Sequence, residues 1–283
     1  MKKIAITGSS GFVGTELSNM FISLGYSVIG ITRAHLKNIQ NLSTIIDDCE
    51  LVINLAGANI ISRWSDEYKK LLYSSRIDTT KTLIEAFKLA TNKPKLFIST
   101  SAVGIYDNKK TYDETNYSYS DEFLANLCKD WEKEAFKAQE LGIRTAVFRF
   151  GIVLGNGGAL AKMLLPFKLG VGGTIGDGSQ SFSFIHIDDL KNAYKFVLQN
   201  QDATGVFNLT APNPTTNKGL TKALGKALNR PTIFPVPAFV LQLIFSEGAK
   251  VLTDGQSVVP KHLLDMGFEF QYSCIEQTIE SLV

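Results

Sequence analysis

The stretch Lys3-Ile4-Ala5-Ile6-Thr7-Gly8-Ser9-Ser10-Gly11-Phe12-Val13-Gly14 decides how the chain reads. Lys3 to Ile6 is a short apolar, β-branched run of the kind that forms a buried parallel strand. After the glycine turn, Phe12, Val13, Leu17, Met20, Phe21 and Leu24 recur at helical spacing, and Gly25 supplies a stop. A strand, a glycine turn and a helix aim the first backbone N–H groups of the helix over the end of the strand. Those free donors and the helix dipole favour an anion, and glycines let a pyrophosphate approach the backbone closely. The spacing is Gly-x-x-Gly-x-x-Gly, not Gly-x-Gly-x-x-Gly, and a glycine triplet alone marks many tight connections. Its position between strand and helix makes it a nucleotide cradle, with Gly8, Ser9, Ser10, Gly11, Phe12, Val13 and Gly14 as contacts.

Outward from this unit, a second strand, 27–32, ends in Thr32-Arg33. In a dinucleotide fold this point faces the adenosine ribose. An acidic group there accepts from a free 2′-OH, whereas an arginine suits a 2′-phosphate. No Asp or Glu occupies it, so NADP (NADPH) is expected over NAD; the bland reading of Arg33 is a solvated surface charge. Residues 34–50 are too few for a long strand plus a long helix, so the third βα unit is abbreviated. Leu51-Val52-Ile53-Asn54-Leu55-Ala56-Gly57 is another buried strand, whose closing turn brings backbone close beneath adenine and ribose or is a plain strand end. A helical pattern over 64–90 carries Arg76 at its middle, either reaching a phosphate or capping the exposed face. Pro94 starts a strand over 95–99 that runs from Ser99 into Thr100-Ser101-Ala102-Val103-Gly104-Ile105-Tyr106, placing hydroxyls in the crevice where open α/β sheets bind ligands.

A helix with Phe123, Leu124, Leu127 and Trp131, a sixth strand over 143–150, a helix to about Leu198 and a strand over 205–209 follow. The expected fold is α/β, a Rossmann-like doubly wound parallel sheet over 1–209. Residues 155–182, with five glycines between Gly170 and Gln180, contribute a lid or substrate rim. Pro212, Pro214, Pro231, Pro235 and Pro237 then separate short helices, so 210–283 is expected to be a small, mostly helical cap on the substrate side.

The bulk numbers narrow the partners. Among 283 residues, 29 basic and 27 acidic side chains leave a net charge of +2 with no basic block, which favours neither nucleic acid nor an anionic membrane. Cys49, Cys128 and Cys274 show no CxxC pairing and three histidines are scattered, so no zinc site is expected. The apolar run 236–245 is too short to span a bilayer, and the N-terminus enters a strand at once without a signal-peptide core. A cytoplasmic protein with a small-molecule substrate is expected. The apolar faces of 64–90 and 120–141 permit a homodimer without requiring one.

The motifs together resemble the extended short-chain dehydrogenase/reductases of the NAD-dependent epimerase/dehydratase superfamily, in an atypical branch often named "epimerase family protein" with a C-terminal domain of unknown function. The matching words include Thr7-Gly8-x-x-Gly11-Phe12-x-Gly14, Asn54-Leu55-Ala56-Gly57, Arg63-Trp64, Ser75-Arg76 and Ser101-Ala102-Val103-Gly104. Asp130-Trp131-Glu132, Arg149-x-Gly151-Ile152-Val153-Leu154, Ile185-His186-Ile187-Asp188-Asp189-Leu190 and Gly255-Gln256 continue it nearly to the end of the chain. The resemblance implies Thr32, Arg33, Leu55, Ala56, Arg76 and Arg149 as cofactor contacts and NADP as the cofactor. Where the branch often has Gly-Gln-Arg, this chain has Gly255-Gln256-Ser257, so a basic group of the cap is missing.

Ordinary members of the superfamily use a Ser/Thr, a Tyr and a Lys four residues later, the lysine lowering the tyrosine pKa so that a phenolate serves as base. The helix that should carry the pair reads Phe123-Leu124-Ala125-Asn126-Leu127-Cys128-Lys129-Asp130, with no tyrosine. Tyr106-x-x-x-Lys110 falls in a loop, where that spacing does not align two side chains. Ser101 is the expected replacement for substrate hydrogen bonding, with Tyr106 assisting. Cys128 reads as a packed core thiol or a reactive one, His186 as a structural group or a proton shuttle, and Asp188 as the cap of the next helix. Three functions compete: an NADP-dependent oxidoreductase or epimerase acting on a sugar-like or other small polar substrate, an NADP-binding sensor with decayed catalysis, and a scaffold.

Overall fold

The computed structural model describes all residues 1–283. Six strands, β1 (Lys3–Thr7), β2 (Ser27–Ile31), β3 (Cys49–Asn54), β4 (Leu96–Ala102), β5 (Arg144–Phe150) and β6 (Gly205–Leu209), form one sheet in the order β6-β5-β4-β3-β1-β2. Every neighbouring pair is parallel. The chain runs from β1 out to β2 and then crosses to β3 on the other side of β1, so the carboxyl ends of β1 and β3 flank the point where strand order reverses. Such a switch point opens a crevice above the sheet. Residues 34–50 supply only the short helices Arg33–Leu36 and Ile39–Ile46, which leaves β2 as the edge.

Helices α1 (Phe12–Ser23), α2 (Asp66–Leu89), α3 (Phe123–Phe136), α4 (Gly158–Lys168), α5 (Ile187–Gln199), α6 (Asn217–Leu228), α7 (Ala238–Phe245) and α8 (Ile275–Leu282) surround the sheet. The β-branched and leucine-rich strands are buried on both faces. Leu17 and Phe21 of α1 and Leu190 and Tyr194 of α5 cover one face. Leu83, Ile84 and Phe87 of α2 and Ala135 of α3 cover the other. A third apolar cluster joins α4, α6 and α8 through Leu160, Phe167, Leu220, Leu224, Ile275 and Ile279. The late part of the chain also returns to the main body. Ser257–Val258 pairs in parallel with Thr111–Tyr112, Leu263 and Phe268 join the core of the sheet, and His262 Nδ1 lies 2.8 Å from the Val206 carbonyl oxygen. No helix is long and apolar enough to cross a membrane, and no group of three or more His, Cys, Asp or Glu is placed to hold a metal.

At the entrance to α5, His186 rather than Asp188 supplies the cap. His186 Nδ1 accepts from the Asp188 N–H at 3.0 Å, while the Asp188 carboxylate accepts from Lys191 Nζ at 2.7 Å. The imidazole is buried and stacked on Tyr272 with centroids 3.7 Å apart, a structural setting. Burial holds the ring below its ordinary value of 6.5, with Asp188 pulling the other way. A base whose folded pKa is depressed is protonated first in the unfolded chain, so its contribution is complete above about 6.5 and lost as pH falls below that. Thermal stability should therefore fall as pH is lowered below about 6.5, and His186→Asn, a capping residue that does not titrate, should flatten the slope. An unchanged slope in melting curves of the variant would sink this assignment.

Candidate functional site

Local chain geometry first fixes the glycine turn. Gly8 has φ +68°, a left-handed conformation that disfavours a side chain, and a Cβ there would lie 2.9 Å from the Leu55 carbonyl oxygen. At Gly14 a Cβ would overlap the Gly8 carbonyl oxygen and press on Ser9. The N-cap of α1 is Gly11, with no side-chain hydrogen bond and no acidic residue in the first turn. The leading N–H groups of this helix are thus left for an anion.

Thr7 ties this turn to the neighbouring one. Its hydroxyl accepts from the N–H of Leu55 (3.1 Å) and Ala56 (3.2 Å) and donates to Asn54 Oδ1 (2.7 Å). Asn54 Nδ2 then donates to Thr80 Oγ1 at 2.9 Å and Ser99 Oγ at 3.4 Å. The sheet register explains this row, since Thr7 lies opposite Asn54 and Asn54 opposite Ser99. Asn54 and Ser99, both expected cofactor contacts, are fully buried, and their side chains bond to each other across the strand ends.

Arg76 reaches from α2 across Gly57, where a Cβ would meet its guanidinium carbon at 2.8 Å. It donates to the carbonyls of Ala58 (3.0 Å) and Leu72 (3.1 Å) and lies 5.4 Å from the Trp131 ring. Of five N–H donors these bonds use two, leaving others for a ligand. Thr32 caps the short helix after β2 by accepting from the His35 N–H at 3.4 Å. Arg33, next to it, is exposed at the carboxyl end of β2, the edge expected to face the ribose.

Above the switch point lies a cavity of about 720 Å³. Its lining joins Gly8, Gly11, Phe12, Val13, Gly14, Leu55, Gly57 and Arg76 to Ser101, Tyr106 and Cys128 and to Trp64, Phe123, Leu124, Leu127, Trp131 and Val251. Ser9, Ser10, Thr32, Arg33 and Ala56 are outside that lining.

Ser101 anchors a buried polar network. It lies opposite Arg149 in the sheet, and Arg149 opposite Asn208. The Ser101 hydroxyl donates to Glu132 Oε1 at 2.7 Å. Arg149 grips Glu132 with two bonds, Nε to Oε1 and Nη2 to Oε2, each 2.7 Å, and donates to the hydroxyls of Tyr106 (2.7 Å) and Tyr119 (2.8 Å). Tyr106 in turn donates to Asn208 Oδ1 at 2.9 Å. Arg149, implied as a cofactor contact, is only 2% exposed, and four of its five N–H donors go to Glu132, Tyr106 and Tyr119 in an internal ion-pair network. Tyr106 is fully buried with its hydroxyl proton committed to Asn208. Burial pushes its phenol up to about 12, outweighing Arg149, whose charge Glu132 already balances.

The sequence reading had no role for Glu132. Cys128 and Glu132 stand four residues apart on α3 and both face Ser101, the spacing that holds Tyr and Lys in ordinary relatives. That i, i+4 relation was the available signal. Cys128 is buried, and its thiol is pushed up to about 11, first by burial and then by the Glu132 carboxylate, with Ser101 and Arg76 acting against this.

Comparison with known proteins agrees with the geometry. Residues 4–210 match the NAD dependent epimerase/dehydratase family, and residues 236–282 match a domain of unknown function, DUF1731. Epimerase family protein SAR0825 of Staphylococcus aureus (strain MRSA252) is 36% identical, covering 100% of this chain and 99% of its own. The crystal structure of human epimerase family protein SDR39U1 (isoform 2) with NADPH superposes with a TM-score of 0.91 at 32% identity, over 99% of this chain and 98% of that one. A nucleoside-diphosphate sugar epimerase from Corynebacterium glutamicum has a TM-score of 0.79 at 30% identity, covering 99% of this chain and 59% of that one. With its six-stranded parallel sheet, glycine turn and matched second segment, the chain belongs to the NAD dependent epimerase/dehydratase family, in the branch that carries DUF1731.

Proposed function

We propose that the protein binds NADPH across β1, the glycine turn and α1, and acts on a small molecule held beside Ser101. The observation that carries this reading is the single cavity that runs from the glycines of the turn to Ser101. The open first turn of α1 suits the pyrophosphate, Arg33 the 2′-phosphate, and Arg76 a neighbouring phosphate or ribose oxygen. A bound nicotinamide dinucleotide supplies hydride chemistry, while the fold contributes placement and exclusion of water. The human relative solved with NADPH supports the choice of cofactor.

Calorimetry with both coenzymes tests it. NADPH should bind saturably, and Arg33→Asp should weaken it about 10- to 100-fold, the loss of one charge-assisted contact of about 1.5–3 kcal/mol. NADH should change far less. Equal losses for the two would show that Arg33 does not read the phosphate.

A second reading, a cofactor-binding sensor without turnover, is favoured by the chemistry around Ser101. The Ser101 proton is given to Glu132, and Cys128 and Tyr106 are pushed up to about 11 and about 12, so neither exchanges protons readily at neutral pH. NADPH oxidation across a carbonyl panel separates the readings: turnover supports an enzyme, and silence with tight NADPH binding supports the sensor.

A further inference from the structure

Beyond Ser101 the cavity changes character. Trp64, Leu127 and Trp131 form a buried apolar cluster, with Phe123, Leu124 and Val251 packed on it. All six line the cavity, and Trp64 meets Phe123 edge-on at 5.5 Å.

Apart from Arg76, 5.4 Å from the Trp131 ring, the nearby cations are already engaged. Lys250 pairs with Glu122 at 2.6 Å and Lys69 with Glu247 at 2.7 Å. Arg63 donates to the Leu243 carbonyl at 3.0 Å, and Arg149 is sealed by Glu132. The charged side chains that line the cavity are Arg76, Glu122, Glu247, Lys250 and Asp254, three carboxylates against two cations, and Arg76, the one with donors to spare, is assigned above to the coenzyme. With Arg76 on the coenzyme, a diphosphate placed beside the tryptophans would leave water for a wall whose remaining cation is already paired, a costly transfer.

The apolar surface also continues outward. The segment around Val236 bonds to the loop that carries the cavity residue Ile175, Val236 N–H to Thr174 O at 2.7 Å and Gly176 N–H to Val236 O at 2.9 Å. Its large side chains Phe234, Phe239 and Leu243 stand exposed, and so does Val171 of the loop. Exposed apolar side chains on a segment bonded to a cavity-lining loop suit the approach of an apolar ligand.

We propose that this chamber takes an uncharged, predominantly apolar molecule and discriminates against nucleoside diphosphate sugars. The inference names the substrate class of the site described above and rests on that reading. It departs from the sugar-like expectation of the sequence, because the wall chemistry is set by side chains from the turn before α2, from α3 and from the cap, brought together only in the fold.

Both tryptophans of the chain line the chamber, so intrinsic fluorescence reports its occupancy. The full chain is titrated with 2-octanone, with 4-phenyl-2-butanone and with UDP-glucose, and NADPH binding is followed separately by calorimetry. Both ketones should give saturable changes in emission, with UDP-glucose at least tenfold weaker or silent. Val251→Asp should weaken the ketones at least tenfold and leave NADPH within twofold. Saturation by UDP-glucose at equal or lower concentration overturns the proposal, as does the absence of a saturable response to either ketone up to its solubility limit. Ketone binding without any NADPH binding would instead sink the cofactor reading and leave the chamber assignment standing.

Discussion

Glu132→Ala should cost about 3–5 kcal/mol of global stability, the range for stranding one partner of a buried ion pair. Glu132 and Arg149 are 7% and 2% exposed, and the carboxylate receives two bonds from the guanidinium and one from Ser101. Burial alone would lower the arginine pKa, yet Glu132 holds it above the ordinary value, so the guanidinium keeps its charge inside the protein. With the carboxylate removed, only the hydroxyls of Tyr106 and Tyr119 would face that charge. Urea unfolding followed by circular dichroism measures the loss. The double variant Glu132→Leu with Arg149→Met should recover most of it, since an apolar pair of similar volume avoids burying an unmatched ion. A single-variant cost below about 1 kcal/mol, the scale of an exposed pair, would show that the network does not carry the sheet edge.

Gly14→Ala should reduce NADPH affinity at least about 100-fold, or about 2.8 kcal/mol, at a stability cost of about 1–3 kcal/mol. The new methyl would overlap the Gly8 carbonyl oxygen and press on Ser9, and these are backbone atoms that no rotamer change can clear. Relief requires α1 to move away from the turn, which misaligns the N–H groups of the helix start. Gly25→Ala separates this effect from simple backbone strain. Gly25 has φ +84° with nothing within 4 Å of a built Cβ, so its replacement should cost about 1–2 kcal/mol and leave cofactor binding intact. Equal losses of affinity in both variants would remove the glycine turn from the cofactor site.

The strand, turn and helix at the head of the chain were legible because each rests on local rules: a β-branched run, glycine spacing and helical periodicity within about twenty residues. The abbreviated unit after β2 was legible from length alone, and the missing tyrosine of α3 could be read directly from the residues. The boundaries shifted only at the ends: the second strand stops at Ile31 because Thr32 caps a helix, and β4 runs on to Ala102.

What the sequence by itself determined is a parallel α/β sheet with a glycine turn between its first strand and helix and an exposed arginine after its second strand, since these depend on neighbours along the chain. Only the tertiary structure decided which polar residues bond to one another in the interior. Strand register turned Asn54, Ser99 and Arg149 inward, brought Glu132 to Ser101 and closed Tyr106 on Asn208. Hydrophobic periodicity tells which face of an element is buried, but a buried polar atom takes whichever partner the register places opposite it, and that partner lies tens of residues away.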